Sequence, residues 1–151
     1  MQTYPHHYNA TASGTERGLV RVASFDLPAI ETAPPPEFDG PGGVWSPETL
    51  LSAAVADCFI LTFRGVSRAA RLSWKKLECS VEGTLERVGN VTRFTRFKTR
   101  AVLTLESDAE REKAQKLLER AEQTCLVSNS LLGERSFSAE VIVETPAPAP
   151  V

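Results

Sequence analysis

The chain has 151 residues, of which 42% are hydrophobic and 24% charged, as in an ordinary globular domain large enough to bury its own core. A net charge of −2 and an isoelectric point near 5.8 argue against a general nucleic-acid binder or a protein that binds anionic membranes. The N-terminus lacks the features of a signal peptide, and the longest apolar run is shorter than the roughly 20 residues needed to cross a bilayer. We therefore expect a soluble cytoplasmic protein that binds neither nucleic acid nor membrane.

The cysteines and histidines indicate which chemistry is open to the chain. Cys58, Cys79 and Cys125 are widely spaced and odd in number, which is not the pattern of a secreted disulfide framework. The sequence has no Cys-x-x-Cys pair or Cys/His cluster of the kind that holds structural zinc. His6 and His7 are adjacent near the terminus, where an isolated pair seldom forms a native metal site. We expect no bound metal or cofactor, so the question is which thiols react.

The first elements along the chain are predicted to be strands. Residues 8–13 and 19–25 alternate weakly and flank a turn at residues 14–18, which indicates a β-hairpin, and a short third strand is expected around residues 29–32. The next stretch, TAPPPEFDGPGGVW at residues 32–45, is rich in proline and glycine. A connection of this length inside a compact domain is usually functional or disordered.

A long helix is predicted to start after this connection. Ser46 can cap it, Pro47 suits its first position, and Glu48 places a negative charge in its first turn. The helix is expected to continue to about Arg71, and it is apolar on every side around Cys58. Helices of this kind are usually buried, so we expect this one at the centre of the fold.

Residues 76–88 and 91–106 predict two long strands, each with an apolar and a charged face. A strict two-residue turn would set apolar residues of the first strand opposite basic residues of the second. An odd loop or a β-bulge keeps each face uniform instead. We expect this second register, which pairs Val81 with Thr99 and Glu82 with Lys98. The excess of Lys and Arg in this part of the chain then belongs to a solvated sheet face.

A second helix is predicted from a capping-box pattern at Ser107 to about Gln123. Its apolar stripe comprises Ala114, Leu118 and Ala121. Cys125 lies four residues further on and therefore continues this core-facing stripe.

The end of the chain is predicted to hold one more strand, at residues 137–143. We expect a single domain over residues 1–145. The last residues, 146–151, consist of proline, alanine and valine, and they predict a disordered tail.

The three thiols differ in their predicted surroundings. Cys79 alternates with Leu77 and Val81 on the apolar side of its strand, which a buried structural cysteine explains. Cys58 and Cys125 both lie on the inward side of a helix or at its end and could meet in the core. Burial raises the pKa of a thiol, and Cys58 lies too far into its helix for the N-terminal end of the macrodipole to help. From the residues alone, Cys58 can be a small hydrophobe or a protected nucleophile that needs a cation from elsewhere.

Two short motifs carry a family resemblance. SPETLLSAAVADCF, residues 46–59, resembles the OsmC/Ohr family of osmotically inducible and organic hydroperoxide resistance proteins, in which a Pro-Glu-x-Leu helix start leads to Cys-Phe. CLVSNSL, residues 125–131, resembles the second-cysteine motif of this family, Cys-x-x-Ser-Asn. The similarity covers residues 8–144. It implies an α+β fold, with an antiparallel sheet of about six strands around a long buried central helix plus a second helix, in an intertwined homodimer with active sites at the interface.

The same resemblance implies a thiol peroxidase without metal or haem. Cys58 would be the peroxidatic thiolate, and Cys125 would condense with its sulfenic acid to a disulfide that an external dithiol, lipoyl-type or thioredoxin-like, reduces. Glu48 matches the glutamate that orients an arginine beside the thiolate. Arg17 is the best match to that arginine, and Arg21 is the second choice because the turn differs from the Gly-x-Arg-x-Gly pattern of relatives.

The spacing of the two helix residues limits how the site can be built. Glu48 and Cys58 are ten residues apart on one helix, which is about 15 Å along its axis. Glu48 therefore acts through a long arginine or serves the site of a second subunit.

Other functions stay open at this point. One is a redox sensor or a protein that binds a small apolar ligand in a pocket lined by Phe59, Phe63 and the loop at residues 32–45. Another is a purely structural dimer module. Neither the physiological peroxide nor the reductant follows from the sequence.

Overall fold

The computed structural model describes residues 2–144. Within this part of the chain there are six strands and three α-helices. The contacts divide the chain into two compact units, one up to Leu50 and the other from Leu51 onward. The tail expected at residues 146–151 lies outside the described residues, and the single domain over residues 1–145 stays a prediction.

The first unit contains a small antiparallel sheet. Strands β1 (Thr11–Ser13), β2 (Val20–Ala23) and β3 (Ile30–Thr32) pair in the order β1-β2-β3. The predicted hairpin and third strand are thus confirmed, although the strands are shorter than the alternating pattern. Tyr8, at the start of the first predicted strand, and Phe25, at the end of the second, are 89% and 97% exposed. Side chains with so little to pack against do not hold a strand in place.

The connection at residues 32–45 has a defined backbone within this unit. It forms a short 3₁₀ helix at Pro36–Phe38, and its ends are joined by a bridge between Thr32 and Trp45. Gly40 lies so close to the preceding chain that an added Cβ would be 1.6 Å from the Pro34 carbonyl oxygen. A glycine is therefore required at this position.

Helix α1 (Pro47–Ala69) begins and ends with recognisable local signals. The Ser46 hydroxyl accepts a hydrogen bond from the Thr49 amide at 3.2 Å, and the Thr49 hydroxyl accepts one from the Ser46 amide at 2.9 Å, so each caps the other. Beyond the last turn, Arg71 adopts a φ of 55°, and the Leu72 amide bonds back into the helix. This is a Schellman-type end, which stops the helix two residues before the predicted Arg71.

The second unit is built on a mixed sheet. Strands β4 (Lys76–Val88) and β5 (Val91–Leu105) are antiparallel. Strand β6 (Glu134–Val143) pairs in parallel with the other edge of β5, so the strand order is β4-β5-β6. The predicted number of strands is confirmed, but they form two sheets of three, and one pair is parallel. The last strand also begins three residues earlier than predicted, at Glu134.

The register of β4 and β5 is the predicted one. Val81 pairs with Thr99 and Glu82 with Lys98, because a β-bulge shifts the ladder between Thr84 and Leu85. In this register Leu77 and Phe97 lie on the buried face, and Glu78, Glu82 and Lys98 lie on the exposed face.

Two helices follow β5 and lead to β6. Helix α2 (Arg111–Thr124) is preceded by a 3₁₀ turn in which the Ser107 hydroxyl accepts from the Ala109 amide at 3.3 Å. Helix α3 (Leu126–Asn129) is a single turn. The predicted stripe is confirmed, since the following residues are fully buried: Ala114, Leu118, Ala121 and Cys125.

Helix α1 is buried along one face within the second unit. Its buried side chains recur every four residues: Val55, Phe59, Phe63 and Ser67. Other apolar positions stay open, among them Leu61, which is 52% exposed. The helix is also long and apolar enough to cross a membrane by length and composition, but core helices of soluble proteins pass the same test.

Candidate functional site

Cys58 lies on the open side of α1, beside a groove. Its side chain is half-buried, and its sulfur is 4.0 Å from the Thr62 hydroxyl one turn later. The groove has a volume of about 460 Å³ and lies entirely within the second unit. Its walls are mostly apolar and come from α1 and α3: Ala54, Asp57, Leu61, Thr62, Leu126 and Val127. A small organic molecule with a polar end could therefore reach this sulfur.

Cys125 is fully buried at the junction of α2 and α3. It follows the last turn of α2, and its backbone is extended, with φ −64° and ψ 115°. This residue therefore separates the two helices. The hydroxyl of Ser128 donates a hydrogen bond to the Cys125 sulfur at 3.2 Å. Burial raises the pKa of Cys125, and the interaction with Ser128 opposes that rise.

The structure brings Cys58 and Cys125 together. The Cys58 thiol lies near enough to Cys125 to be a further cause that raises the pKa of Cys125. Both residues are free thiols, so the pair is in its reduced form. One sulfur is open to the groove and the other is buried behind it. This is an arrangement in which a reagent reaches only the first thiol directly.

Cys79 on β4 is the third thiol of this unit. It is half-buried and packs against the core cluster. Burial raises its pKa from 9.0 to about 12, and the charges of Cys125 and Glu122 add to the shift. At neutral pH Cys79 is therefore a protonated thiol with little nucleophilicity. This agrees with the structural role predicted from its strand pattern.

The polar residues after Cys125 hold the short helix α3. The Asn129 amide donates to the Gln123 carbonyl at 3.1 Å and accepts from Arg135 at 2.8 Å. These contacts join α3 to the end of α2 and to β6. The sequence alone identifies Ser128 and Asn129 only as members of a motif, without a role for either. The sequence signal for the contact between Ser128 and Cys125 is their spacing, because a serine three residues after a cysteine can reach its sulfur across one helical turn.

Glu122 is a further charged residue near this cluster. Its side chain is 13% exposed, and Arg135 lies 3.8 Å away. One carboxylate oxygen is buried and has no hydrogen-bond partner among the described residues. Burial raises the pKa of Glu122, and Arg135 opposes the shift.

Glu48 and Arg17 belong to the first unit, and Arg21 lies there too. One oxygen of Glu48 is buried and lacks a hydrogen-bond partner within the described chain. Arg17 is an exposed turn residue whose carbonyl accepts from the Thr15 hydroxyl at 2.7 Å. Arg21 is exposed on β2, opposite Ser13. Among residues 2–144, none of the ion pairs involves Glu48 or either arginine.

Glu48 also lines an apolar groove of about 530 Å³ within the first unit. Side chains of the sheet and of the proline-rich connection form the rest of its lining, including Val20, Val22, Pro35 and Phe38. A buried carboxylate oxygen without a partner in such surroundings is costly, so this one fits a cationic or hydrogen-bonding partner.

Within the second unit, Phe59 and Phe63 are packed core side chains and do not open onto a groove. Both side chains are fully buried, Phe59 against Phe137 and Phe63 against Trp74, with ring centroids 5.4 and 5.5 Å apart. The prediction that they line a ligand pocket is wrong, because they form the packed side of α1. His6 is exposed and stacks on Tyr4, and residues 2–144 contain no cluster of three or more side chains suited to a metal ion.

Comparison with known proteins identifies the family. A family model for OsmC-like protein matches residues 40–140. The uncharacterised protein YmaD of Bacillus subtilis is 28% identical over 144 residues, which are 92% of this chain and 95% of YmaD. The structure of an organic hydroperoxide resistance protein OsmC from Legionella pneumophila is similar with a TM-score of 0.73 at 25% identity, over 93% of this chain and 100% of that one.

Two further structures share the fold. An organic hydroperoxide resistance protein from Elizabethkingia anophelis gives a TM-score of 0.74 at 22% identity, over 95% of this chain and 100% of that one. An OsmC-like protein of unknown function from Vibrio cholerae gives 0.79 at 16% identity, over 89% and 99% of the two chains. The fold is the α+β OsmC-like fold, and proteins that have it are soluble, so we interpret α1 as a core helix. The chain belongs to the OsmC-like protein family.

Proposed function

We propose that this protein is a cysteine-based peroxidase of the cytoplasm that reduces hydroperoxides, with organic hydroperoxides as its main substrates. The observation that carries the proposal is the pair of thiols: Cys58 opens onto an apolar groove, and Cys125 is buried next to it. Family membership supports it, because similar structures include organic hydroperoxide resistance proteins.

In the first step Cys58 acts as the peroxidatic thiolate. Its sulfur attacks the terminal oxygen of the hydroperoxide, the O–O bond breaks, and Cys58 becomes a sulfenic acid. The alkoxide that leaves takes up a proton and departs as an alcohol. The apolar walls of the groove, such as Leu61 and Leu126, suit the organic part of the substrate.

In the second step Cys125 resolves the sulfenic acid. Its thiolate attacks the Cys58 sulfur, an S–S bond forms, and the hydroxyl group leaves with a proton as water. An external dithiol, lipoyl-type or thioredoxin-like, then reduces the disulfide by thiol–disulfide exchange. Each cycle thus reduces one hydroperoxide and oxidises one dithiol.

The Cys58 thiolate needs a positive charge nearby, and we assign it to Arg17, with Arg21 as the alternative. Glu48 would orient this arginine. Its buried carboxylate oxygen, which lacks a partner within the described residues, supports a role that a guanidinium completes. We further propose a homodimer with the active sites at its interface. The open apolar side of α1 around Leu61 supports this, because such a surface is normally covered by a partner.

The test is peroxide consumption with cumene hydroperoxide and a dithiol reductant. The native chain should turn over many times, Cys58→Ser should be inactive, and Cys125→Ser should reduce one equivalent and stop. Full activity of Cys58→Ser would exclude the proposal. A single oxidation without turnover in the native chain would instead identify a redox sensor.

A further inference from the structure

The hydroxyl of Ser128 donates its hydrogen bond to a sulfur and not to a backbone carbonyl. Ser128 is 3% exposed, and its hydroxyl donates to the Cys125 sulfur at 3.2 Å. Two neighbouring hydroxyls, Thr124 and Ser130, donate to the carbonyl four residues earlier, as hydroxyls on helices commonly do. A neutral thiol is a weak acceptor, whereas a thiolate is a strong one. The donor of Ser128 is therefore directed at a partner that accepts well only when ionised.

The other groups around Cys125 oppose its ionisation. Burial raises its pKa most, and the Cys58 thiol on α1 raises it further. Other titratable groups in this region of the described chain include Cys79 on β4, Glu122 on α2 and Asp57 beside Cys58 on α1. The nearby cation, Arg135 on β6, is engaged with Glu122 and Asn129. Within the described chain, Ser128 is the residue whose interactions lower the pKa of Cys125.

From this arrangement we infer that Ser128 is a positioning residue that stabilises the Cys125 thiolate for its attack on Cys58. The inference rests on the proposed function for its biological meaning, since it concerns the second step of that cycle. The Ser128 hydroxyl donates to the sulfur while Asn129 fixes the turn through Gln123 and Arg135. The short helix α3 thus holds the donor in place.

The inference predicts a characteristic pH dependence for Ser128→Ala. Loss of one hydrogen bond to a thiolate raises its pKa by about one unit. A more basic thiolate is also a better nucleophile, with a Brønsted coefficient of about 0.4–0.5, so the attack should slow only about three- to fourfold at neutral pH. Above the pKa of both thiols, where each is fully ionised, the variant should be about threefold faster than the parent, because its thiolate is more basic. A defect in packing would instead slow the reaction at every pH.

The experiment measures Cys125 directly by thiol–disulfide exchange, in the full chain with Cys79→Ala to remove the third thiol. The aromatic disulfide dithionitrobenzoate reacts first at Cys58 and releases one thionitrobenzoate. Cys125 then attacks the mixed disulfide, forms the Cys58–Cys125 bond and releases a second thionitrobenzoate. The rate of the second release, followed by stopped-flow absorbance after a pH jump to values from pH 6 to pH 12, reports the nucleophilicity of Cys125 below and above its raised pKa.

Ser128→Ala should slow the second release about three- to fourfold at pH 7 and shift its pH profile upward by about one unit. Ser130→Ala, which removes an exposed hydroxyl two residues away, is the matched control and should change neither. An unchanged profile in Ser128→Ala, or an equal slowing at all pH values, would overturn the inference. Ser128→Thr keeps the hydroxyl and should restore the pH profile if it folds with the same melting temperature.

The outcome is independent of the proposed peroxidase activity, because the reagent oxidises Cys58 without any peroxide. If Cys58 fails to react with hydroperoxides but the second release follows the predicted profile, the proposed function fails and the role of Ser128 stands. If peroxide turnover is normal and Ser128→Ala behaves as the parent, the proposed function stands and this inference fails.

Discussion

The two faces of α1 carry similar side chains but have different surroundings. One face, from Val55 through Phe59 and Phe63, is buried by the rest of the second unit. The other carries Cys58 and Leu61 and stays partly open, with a groove beside the thiol. The buried face thus stabilises the fold. The open face is the part of the helix that we propose for contact with substrate and with a second subunit.

The comparison also explains how an apolar helix can carry the nucleophile that we propose at Cys58. A side chain in a packed core is inaccessible, whereas a thiol on a half-covered apolar face is shielded from bulk water and still reachable. If this division is correct, substitutions on the buried face should mainly change stability. Substitutions on the open face should mainly change activity or association.

The largest effect is expected for Cys58→Ser on the open face. Removal of the nucleophile should lower peroxide turnover by about a thousandfold or more, because a serine hydroxyl does not form the sulfenic acid intermediate. The melting temperature should change little, since Cys58 is only half-buried. Coupled consumption of reductant measures the activity, and calorimetry measures the stability. A large loss of stability would show that Cys58 belongs to the packed face.

On the buried face, Phe63→Ala should destabilise the protein by about 3–5 kcal/mol, because it leaves a cavity where a fully buried ring packs against Trp74. Urea unfolding followed by circular dichroism measures the change. Thr62→Ala, the adjacent and only half-buried position, is the control and should cost less than about 1 kcal/mol. Similar costs at both positions would contradict the division into two faces.

Leu61→Arg tests the association proposed for the open face. A charge at the centre of an apolar interface should weaken a homodimer at least about tenfold, and the chain should remain folded because Leu61 is not part of its own core. Analytical ultracentrifugation over a dilution series measures the equilibrium. Glu119→Arg on the exposed surface of α2 is the control and should associate like the parent. A variant that associates normally would place the dimer contact elsewhere.

The smallest effect on activity is expected for Cys79→Ala, which should turn over within about twofold of the parent because the pKa of Cys79 keeps it protonated. Its effect on stability depends on pH. The unfolded thiol ionises from about pH 9, whereas the folded one does so near pH 12. The contribution of Cys79 to the free energy of unfolding is therefore complete below pH 9 and is lost as the pH rises toward 12.

The parent should therefore lose more stability than Cys79→Ala between pH 8 and pH 11, which urea unfolding at each pH measures. Parallel loss in both proteins would show that the Cys79 thiol ionises freely in the folded chain.

Much of the fold could be predicted because local patterns and long-range packing agree. The β4–β5 register follows from the charge alternation, since a shift by one residue would bury Lys98. The start of α1 follows from reciprocal capping at Ser46, and the burial of Cys125 from its place in the α2 stripe.

Other features leave no such signal. The parallel pairing of β6 was missed because an alternating strand looks the same in either direction. The placement of Phe59 and Phe63 was missed because an apolar pattern on all sides of a helix does not tell which face the chain covers. The role of Ser128 depends on which way a hydroxyl points, and that is decided by packing rather than by residue type.

The parallel pairing of β6 with β5 has a consequence for the order of folding. Antiparallel β4 and β5 are joined by a two-residue turn and can pair early, whereas β6 can pair only after the chain has passed through α2 and α3. Cys125 lies on that returning segment. The neighbouring sulfurs of Cys58 and Cys125 therefore come together late, so a nascent or partly unfolded chain carries the thiols without the paired site. In the proposed cycle, redox chemistry at this pair thus requires the completed fold.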